Sequence, residues 1–305
     1  MKDSIYYRQA KLLLRILPII GHYPVFALKG GTAINFFIRD MPRLSVDIDL
    51  TYVQVDERET ALASIHSTLN DISSDIKRLI PDAVVMPRNS GKIISGLSVR
   101  ADGCSVKIEP NLILRGTVYE PVVMTVKSHV QKMFELTVDS KVLSLADIYG
   151  GKICAALDRQ HPRDLFDIKL LLDNEGITDD IRKSFIVHLI SHDRPMAELL
   201  RPHYQDIKKV FENEFDGMTF VKVSMRELEE ARDVLVQKIH KGLTDKEKNF
   251  IISVKKGMPE WDLLGLRGVD LLPAVQWKLL NISRMGKAKQ NTALKKLEKA
   301  LSPEA

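Results

Sequence analysis

Apolar residues recur at helical spacing near the start of the chain. Ile5, Leu12, Leu13, Ile16, Leu17 and Ile20 mark one face of a helix over 5–20. Residues 25–28 read as a short apolar strand, Gly30 and Gly31 break it, and a helix resumes over 32–39. From 44 to 53 the pattern alternates. Leu44, Val46, Ile48 and Leu50 share one face of a strand, so Asp47 and Asp49 share the other. Asp56 followed by Glu59 has capping-box spacing, and Ala61, Ile65, Ile72, Ile76 and Leu79 continue as a helix. Residues 92–100 and 104–109 flank Asp102-Gly103, a hairpin signal, and 118–126 and 131–138 are further strand candidates.

After Ser144 the pattern is almost wholly helical. Ser144 and Asp147 again have capping-box spacing, at the start of a helix through 150–157. His161-Pro162-Arg163 interrupts it, Asp164 is placed to cap a helix over 165–174, and Gly176 ends that helix. Breaks follow at Pro195, Pro202, Gly217, Gly242, Gly257–Pro259 and Pro273. The pattern predicts an α+β chain in two parts, a mixed domain over 1–177 and a helical domain over 178–305.

Composition narrows the class. The chain has 305 residues, 45% hydrophobic and 28% charged, which excludes wholesale disorder. No apolar run is long enough to span a membrane, and Lys11, Arg15 and Pro18 interrupt the segment that most resembles a leader, so neither a membrane span nor a signal peptide is expected. Cys104 and Cys154 form no CxxC pattern and read as buried apolar side chains, which fits a reducing cytoplasm. The net charge is +5, and the cationic excess gathers near the end. Within 281–300, Arg284, Lys287, Lys289, Lys295, Lys296 and Lys299 are opposed by Glu298 alone. RNA phosphate is a natural partner for such a cluster, with a solvated helix end or a contact to a partner protein as alternatives. That tail has no aromatic residue to stack on bases.

The chemistry concentrates in Lys29-Gly30-Gly31-Thr32 and Ser45-Val46-Asp47-Ile48-Asp49-Leu50. Two glycines between strand and helix let the backbone turn tightly against a ligand. The following helix directs free N–H groups and its positive dipole end at the turn, a natural triphosphate site, where the Thr32 hydroxyl can add a hydrogen bond. Asp47 and Asp49, about 6–7 Å apart between Cα atoms, can reach one or two hard cations. Facing carboxylates repel, and little is gained unless a cation or water relieves them. Lys29 and Arg43 flank the motif; His129 and His161 read as ordinary loop or core residues.

Gly30-Gly31-Thr32 with Ser45-x-Asp47-x-Asp49 resembles the signature of the DNA polymerase β-like nucleotidyltransferases, with threonine where serine usually follows the glycines. Gly150-Gly151-Lys152-Ile153-Cys154-Ala155-Ala156 and the stretch from Arg159 to Ile168 resemble the second half of the AbiEii/AbiGii toxin family. Trp261-Asp262-Leu263-Leu264 and Leu272-Pro273-Ala274-Val275-Gln276-Trp277-Lys278-Leu279 resemble its late segments. The likeness spans most of the chain. It implies a palm-type mixed sheet followed by an all-helical lobe. It also implies a Mg²⁺-dependent nucleotidyltransferase toxin, Mn²⁺ serving as well, with an NTP as substrate and a winged-helix antitoxin as partner. Some members of the family add nucleotides to the 3′ end of tRNA, so tRNA is the expected acceptor. A protein or small-molecule acceptor, or a non-catalytic NTP-binding growth inhibitor, are the other readings.

The resemblance also implies roles for individual residues. Asp47 and Asp49 ligate metal, and Gly30, Gly31, Thr32 and Ser45 hold the nucleotide. A third carboxylate is expected on a neighbouring strand, and Glu109 is the candidate, as metal ligand and general base, although many relatives carry aspartate there. Lys152 is expected to meet the β- or γ-phosphate, and Gly150 and Gly151 to let its helix approach the sheet or the nucleotide. Arg163 and Asp164 are assigned to nucleotide binding. Asp167, on one helix face with Asp164, would hold Lys152 or an arginine in place.

Overall fold

The computed structural model describes residues 5–91 and 93–302. By compactness the chain forms two units. One contains 1–144 with 218–221; the other contains 145–217 with 222–305. Residues 145–177, grouped with the first domain on sequence pattern, thus pack within the second unit.

The first unit is built on α1 (Ile5–Gly21), β1 (Phe26–Lys29), α2 (Gly30–Thr32, running on as a π-helical turn Ala33–Ile38), β2 (Asp47–Tyr52), α3 (Arg58–Leu79), β3 (Val84–Ser90), β4 (Ile93–Ala101), β5 (Cys104–Asn111), β6 (Val122–Thr125), α4 (Ser128–Phe134) and β7 (Asp139–Val142). The seven strands run in the order β3-β4-β5-β2-β1-β7-β6. β2 is central. It pairs antiparallel with β1, to which it is joined through α2 and its π-helical turn, and parallel with β5, with which it is joined through α3 and a hairpin. The alternation read in β2 is kept. Ile48 and Leu50 are fully buried with Val106 and Ile108 of β5, while Asp47 and Asp49 are partly exposed. α1 and α3 pack against each other and on the sheet. Eight of the 17 residues of α1 are buried, among them Leu12, Leu13, Ile16, Leu17 and Ile20 of the face read in the sequence, while Arg8 and Lys11 lie on the other side.

Several local expectations are revised. Residues 131–138 are not a strand: Val130 and Phe134, four apart on α4, are buried together, and Glu135 ends the helix at φ 56°. The 118–126 candidate shrinks to β6. The hairpin forms at Asp102-Gly103 as expected, its first strand starting at Ile93; Lys92 lies outside the described residues. The Asp56–Glu59 capping box is absent, because α3 begins at Arg58 and Asp56 accepts a hydrogen bond from the Tyr52 hydroxyl at 2.5 Å. β3, whose residues are mostly exposed, gives no apolar alternation to read.

The second unit is helical: α5 (Leu145–Arg159), α6 (Pro162–Asp173), α7 (Asp179–Ser191), α8 (Met196–Leu200), α9 (Lys208–Glu214), α10 (Met225–Gly242), α11 (Asp245–Lys256), α12 (Pro273–Ser283) and α13 (Lys287–Leu301), with two short 3₁₀ turns before α12. α5 begins directly after Ser144, where the sequence placed its start. Gly150 and Gly151 serve helix packing. A Cβ on Gly150 would stand 2.6 Å from Ser184 Oγ and 2.8 Å from the Phe185 nitrogen, and one on Gly151 3.3 Å from His188, so α5 lies directly on α7. The cap of α6 is His161, not Asp164: its ring nitrogen accepts from the Arg163 N–H at 3.1 Å, with Pro162 in the first turn.

Candidate active site

β1 runs straight into the glycine turn. Gly30 adopts φ 71°, a left-handed conformation that glycine tolerates without strain. A side chain there would also collide with the site, since its Cβ would run into Asp49 Oδ2. The carboxylate of Asp49 is therefore seated against the bare backbone of the turn. At Gly31 a Cβ would fall 2.8 Å from Arg43 Nη2 and 3.0 Å from Ser45 Oγ. Both glycines are needed for what approaches them.

Thr32 is fully buried. Its hydroxyl gives its proton to the Asp47 carbonyl at 2.6 Å and stands 3.0 Å from Ser45 Oγ. It ties the turn to the start of β2, so this hydroxyl is engaged within the fold. Asn35, one turn on, donates to the Gly31 carbonyl at 2.8 Å. Arg43 is buried and donates to the Leu44 carbonyl at 2.9 Å. The segment 218–221 fixes the chain around it, with Leu44 N–H on the Met218 carbonyl (3.0 Å) and Phe220 N–H on the Pro42 carbonyl (2.9 Å).

Across the sheet, charged residues line up in register. Lys29 of β1 is opposite Asp49 of β2, Asp49 is opposite Glu109 of β5, and Asp47 is opposite Lys107. Residues in register on neighbouring strands share a face. The next strand contributes Gly96, which lies directly across Arg88 of β3 and whose Cβ would meet the Ile108 carbonyl at 2.8 Å. With no side chain on β4 at that point, Arg88 reaches over it and pairs with the Glu109 carboxylate.

The donor chemistry suits a hard cation at Asp47 and Asp49, because Mg²⁺ needs few carboxylates when phosphate and water complete its shell. Among the described residues no three carboxylate, histidine or cysteine side chains are gathered closely enough to hold a metal together. Glu109 shares the face of the aspartate pair but is engaged by Arg88.

In the second unit, Lys152 of α5 sits between two carboxylates of α6, 2.8 Å from Asp164 and 3.2 Å from Asp167. All three are buried. Burial alone would raise the Asp164 pKa, but Lys152 and Arg159, the latter 2.6 Å away, outweigh it and hold this carboxyl well below the usual range. Asp167 pairs with Lys152. Arg163 lies on the first turn of α6 near Glu214, 3.8 Å away. His161, whose cap leaves its proton on the other nitrogen, also faces Glu214 at 3.2 Å; burial lowers its pKa, against the opposing pull of that carboxylate.

A family model described as the nucleotidyl transferase AbiEii toxin of type IV toxin–antitoxin systems matches residues 11–279. The chain belongs to the AbiEii family. This AbiEii protein is thus a nucleotidyltransferase toxin of a type IV toxin–antitoxin system, and an antitoxin is the partner such a system implies. Its fold matches that of MenT4, a nucleotidyltransferase toxin of Mycobacterium tuberculosis H37Rv, with a TM-score of 0.61 at 12% identity, over 96% of this chain and 93% of that one. No curated protein matches. No helix among the described residues of the AbiEii chain is long and apolar enough to cross a membrane.

In the first unit the structure brings together Gly30, Gly31, Thr32, Ser45, Asp47 and Asp49, with Glu109 in register beside them. In the second it brings together Lys152, Asp164 and Asp167, with Arg163 on the same helix. Sequence reasoning about this AbiEii chain missed Arg88 and Gly96. Each signals itself weakly, as a lone arginine and a lone glycine in a β-rich stretch, and their relation to Glu109 exists only across three strands.

Proposed function

We propose that the protein transfers a nucleoside monophosphate from an NTP to the 3′ hydroxyl of a tRNA, with pyrophosphate leaving. The observation that carries this reading is the Asp49 carboxylate seated against the Gly30 turn, with Asp47 and Glu109 on the same sheet face. The backbone N–H groups of Gly30, Gly31 and Thr32, with Ser45, cradle the triphosphate. Asp47 and Asp49 hold Mg²⁺, and Mn²⁺ suits the same donors. The ion, when bound, supplies neutralisation of phosphate charge. Glu109, released from Arg88, takes the proton of the attacking hydroxyl. Lys152 and Arg163 meet phosphate charge in the second unit, Asp164 and Asp167 fixing Lys152. The cationic helix α13 supports an RNA acceptor, since six cations face one carboxylate over 281–300. The partner antitoxin is of the winged-helix type.

The test is incorporation from each of the four α-³²P NTPs into total tRNA with Mg²⁺, beside Asp49→Ala. Label on tRNA that vanishes with the variant is the expected result. NTP binding without labelled tRNA overturns the tRNA acceptor and directs the search to protein hydroxyls.

A further inference from the structure

Lys255 closes α11 with its side chain inside the second unit, the residue only 8% exposed. It lines a cavity of about 440 Å³ between α8, α11 and α13. The walls are largely apolar, from Pro195, Met196, Ala293 and Leu297, and two further lysines, Lys289 and Lys296, stand at its edge. Among the described residues no hydrogen bond or ion pair reaches the ammonium of any of the three. The one carboxylate of the lining, Glu198, pairs instead with Arg194 at 3.9 Å.

The stem of Lys255 is packed, and its ammonium opens onto the cavity, where no carboxylate among the described residues meets it. Burial lowers the Lys255 pKa, and neighbouring Lys289 lowers it further. The first turn of α13 adds to the positive field. Ala288 and Lys289 of that turn line the cavity, the turn holds no acidic residue, and its cap, Gly286, has no side chain to satisfy the free N–H groups.

We propose that this cavity binds a small amphipathic anion, a single carboxylate or phosphate head on an apolar body, with the head on Lys255 and the body along Met196 and Leu297. The volume is that of a small-molecule site, and three lysines line it against one carboxylate, which Arg194 engages. A nucleic-acid backbone fits less well. It is uniformly charged and hydrated, whereas here the walls around the cations are largely apolar.

The test separates head from body by titrating the full-length protein calorimetrically with octanoate, acetate and 1-octanol. Octanoate is expected to bind one site with Kd below about 1 mM, and acetate and octanol each at least tenfold more weakly. Lys255→Met should weaken octanoate at least tenfold while keeping the thermal midpoint, since the ammonium it removes holds no partner among the described residues. Lys296→Met, at an exposed position, should weaken it about threefold and serves if Lys255→Met does not fold. Octanol binding as well as octanoate, or octanoate unaffected by these variants, overturns the proposal. So does tRNA displacing octanoate while acetate matches octanoate, because the cavity is then one more phosphate contact.

Discussion

Asp49 and Glu109 stand opposite each other on adjacent parallel strands, and each has a cation on its far side. Lys29 is in register with Asp49 on β1, and Arg88 reaches Glu109 from β3. Two like charges side by side on a sheet are unfavourable, and the flanking cations reduce that cost. Asp49→Asn should leave the fold unchanged or slightly more stable. It should reduce nucleotide transfer by about 100-fold or more, the usual scale for loss of a charge that meets the transition state. A urea midpoint beside the incorporation rate checks both halves, and a variant that loses activity by unfolding refutes the assignment.

The Arg88–Glu109 pair is half exposed, so its own contribution to stability is small, about 0.2–1 kcal/mol. Arg88→Ala should shift unfolding by no more than that. Gly96→Val should cost about 1–3 kcal/mol, because its Cβ would press on the Ile108 carbonyl, a backbone atom that cannot step aside. Chemical denaturation of the two variants separates a surface pair from a steric requirement of the sheet.

Gly30→Ala combines a strained φ with a collision against the Asp49 carboxylate. The backbone term alone costs about 1–2 kcal/mol. The expected result is near-complete loss of transfer, at least about 100-fold, from a protein that still melts cooperatively. Gly21→Ala, where a Cβ meets nothing within 4 Å, is the control and should retain activity.

The Lys152–Asp164–Asp167 cluster should make the protein acid-sensitive. The Asp164 pKa is depressed in the folded state, so its stabilisation is fully present above the unfolded carboxylate value of about 3.9. It is lost as pH falls from there toward the lower folded value. Asp164→Asn should lower stability at pH 7 and flatten the loss below pH 4. Lys152→Met should cost about 3–5 kcal/mol at pH 7, because it leaves two buried carboxylates facing each other. Stability measured by urea against pH for the three proteins decides this; parallel curves would refute it.

Much of the site could be read in one dimension because its determinants are local. Alternation along β2 put Asp47 and Asp49 on one face and Ile48 and Leu50 in the core, and a glycine pair between strand and helix could be nothing but a tight turn. Asp164 and Asp167 were legible as neighbours because helical spacing makes them so. The same local logic failed where tertiary context overrode it. Residues 131–138 had strand character, but burial of Val130 and Phe134 on one side made 128–134 a helix. Asp164 looked like a cap, yet two cations drew it inward and His161 took that place.

The sequence by itself determined which residues carry charge on which face of each element. Only the tertiary structure decided what each one meets. Register across β1, β2 and β5 aligned Lys29, Asp49 and Glu109, and an absent side chain at Gly96 gave Arg88 its reach. A return of the chain at 218–221 fixed the backbone around Arg43, some 175 residues earlier in the sequence. Strand order and loop returns arise from packing summed over the whole chain, and no window of sequence contains that sum.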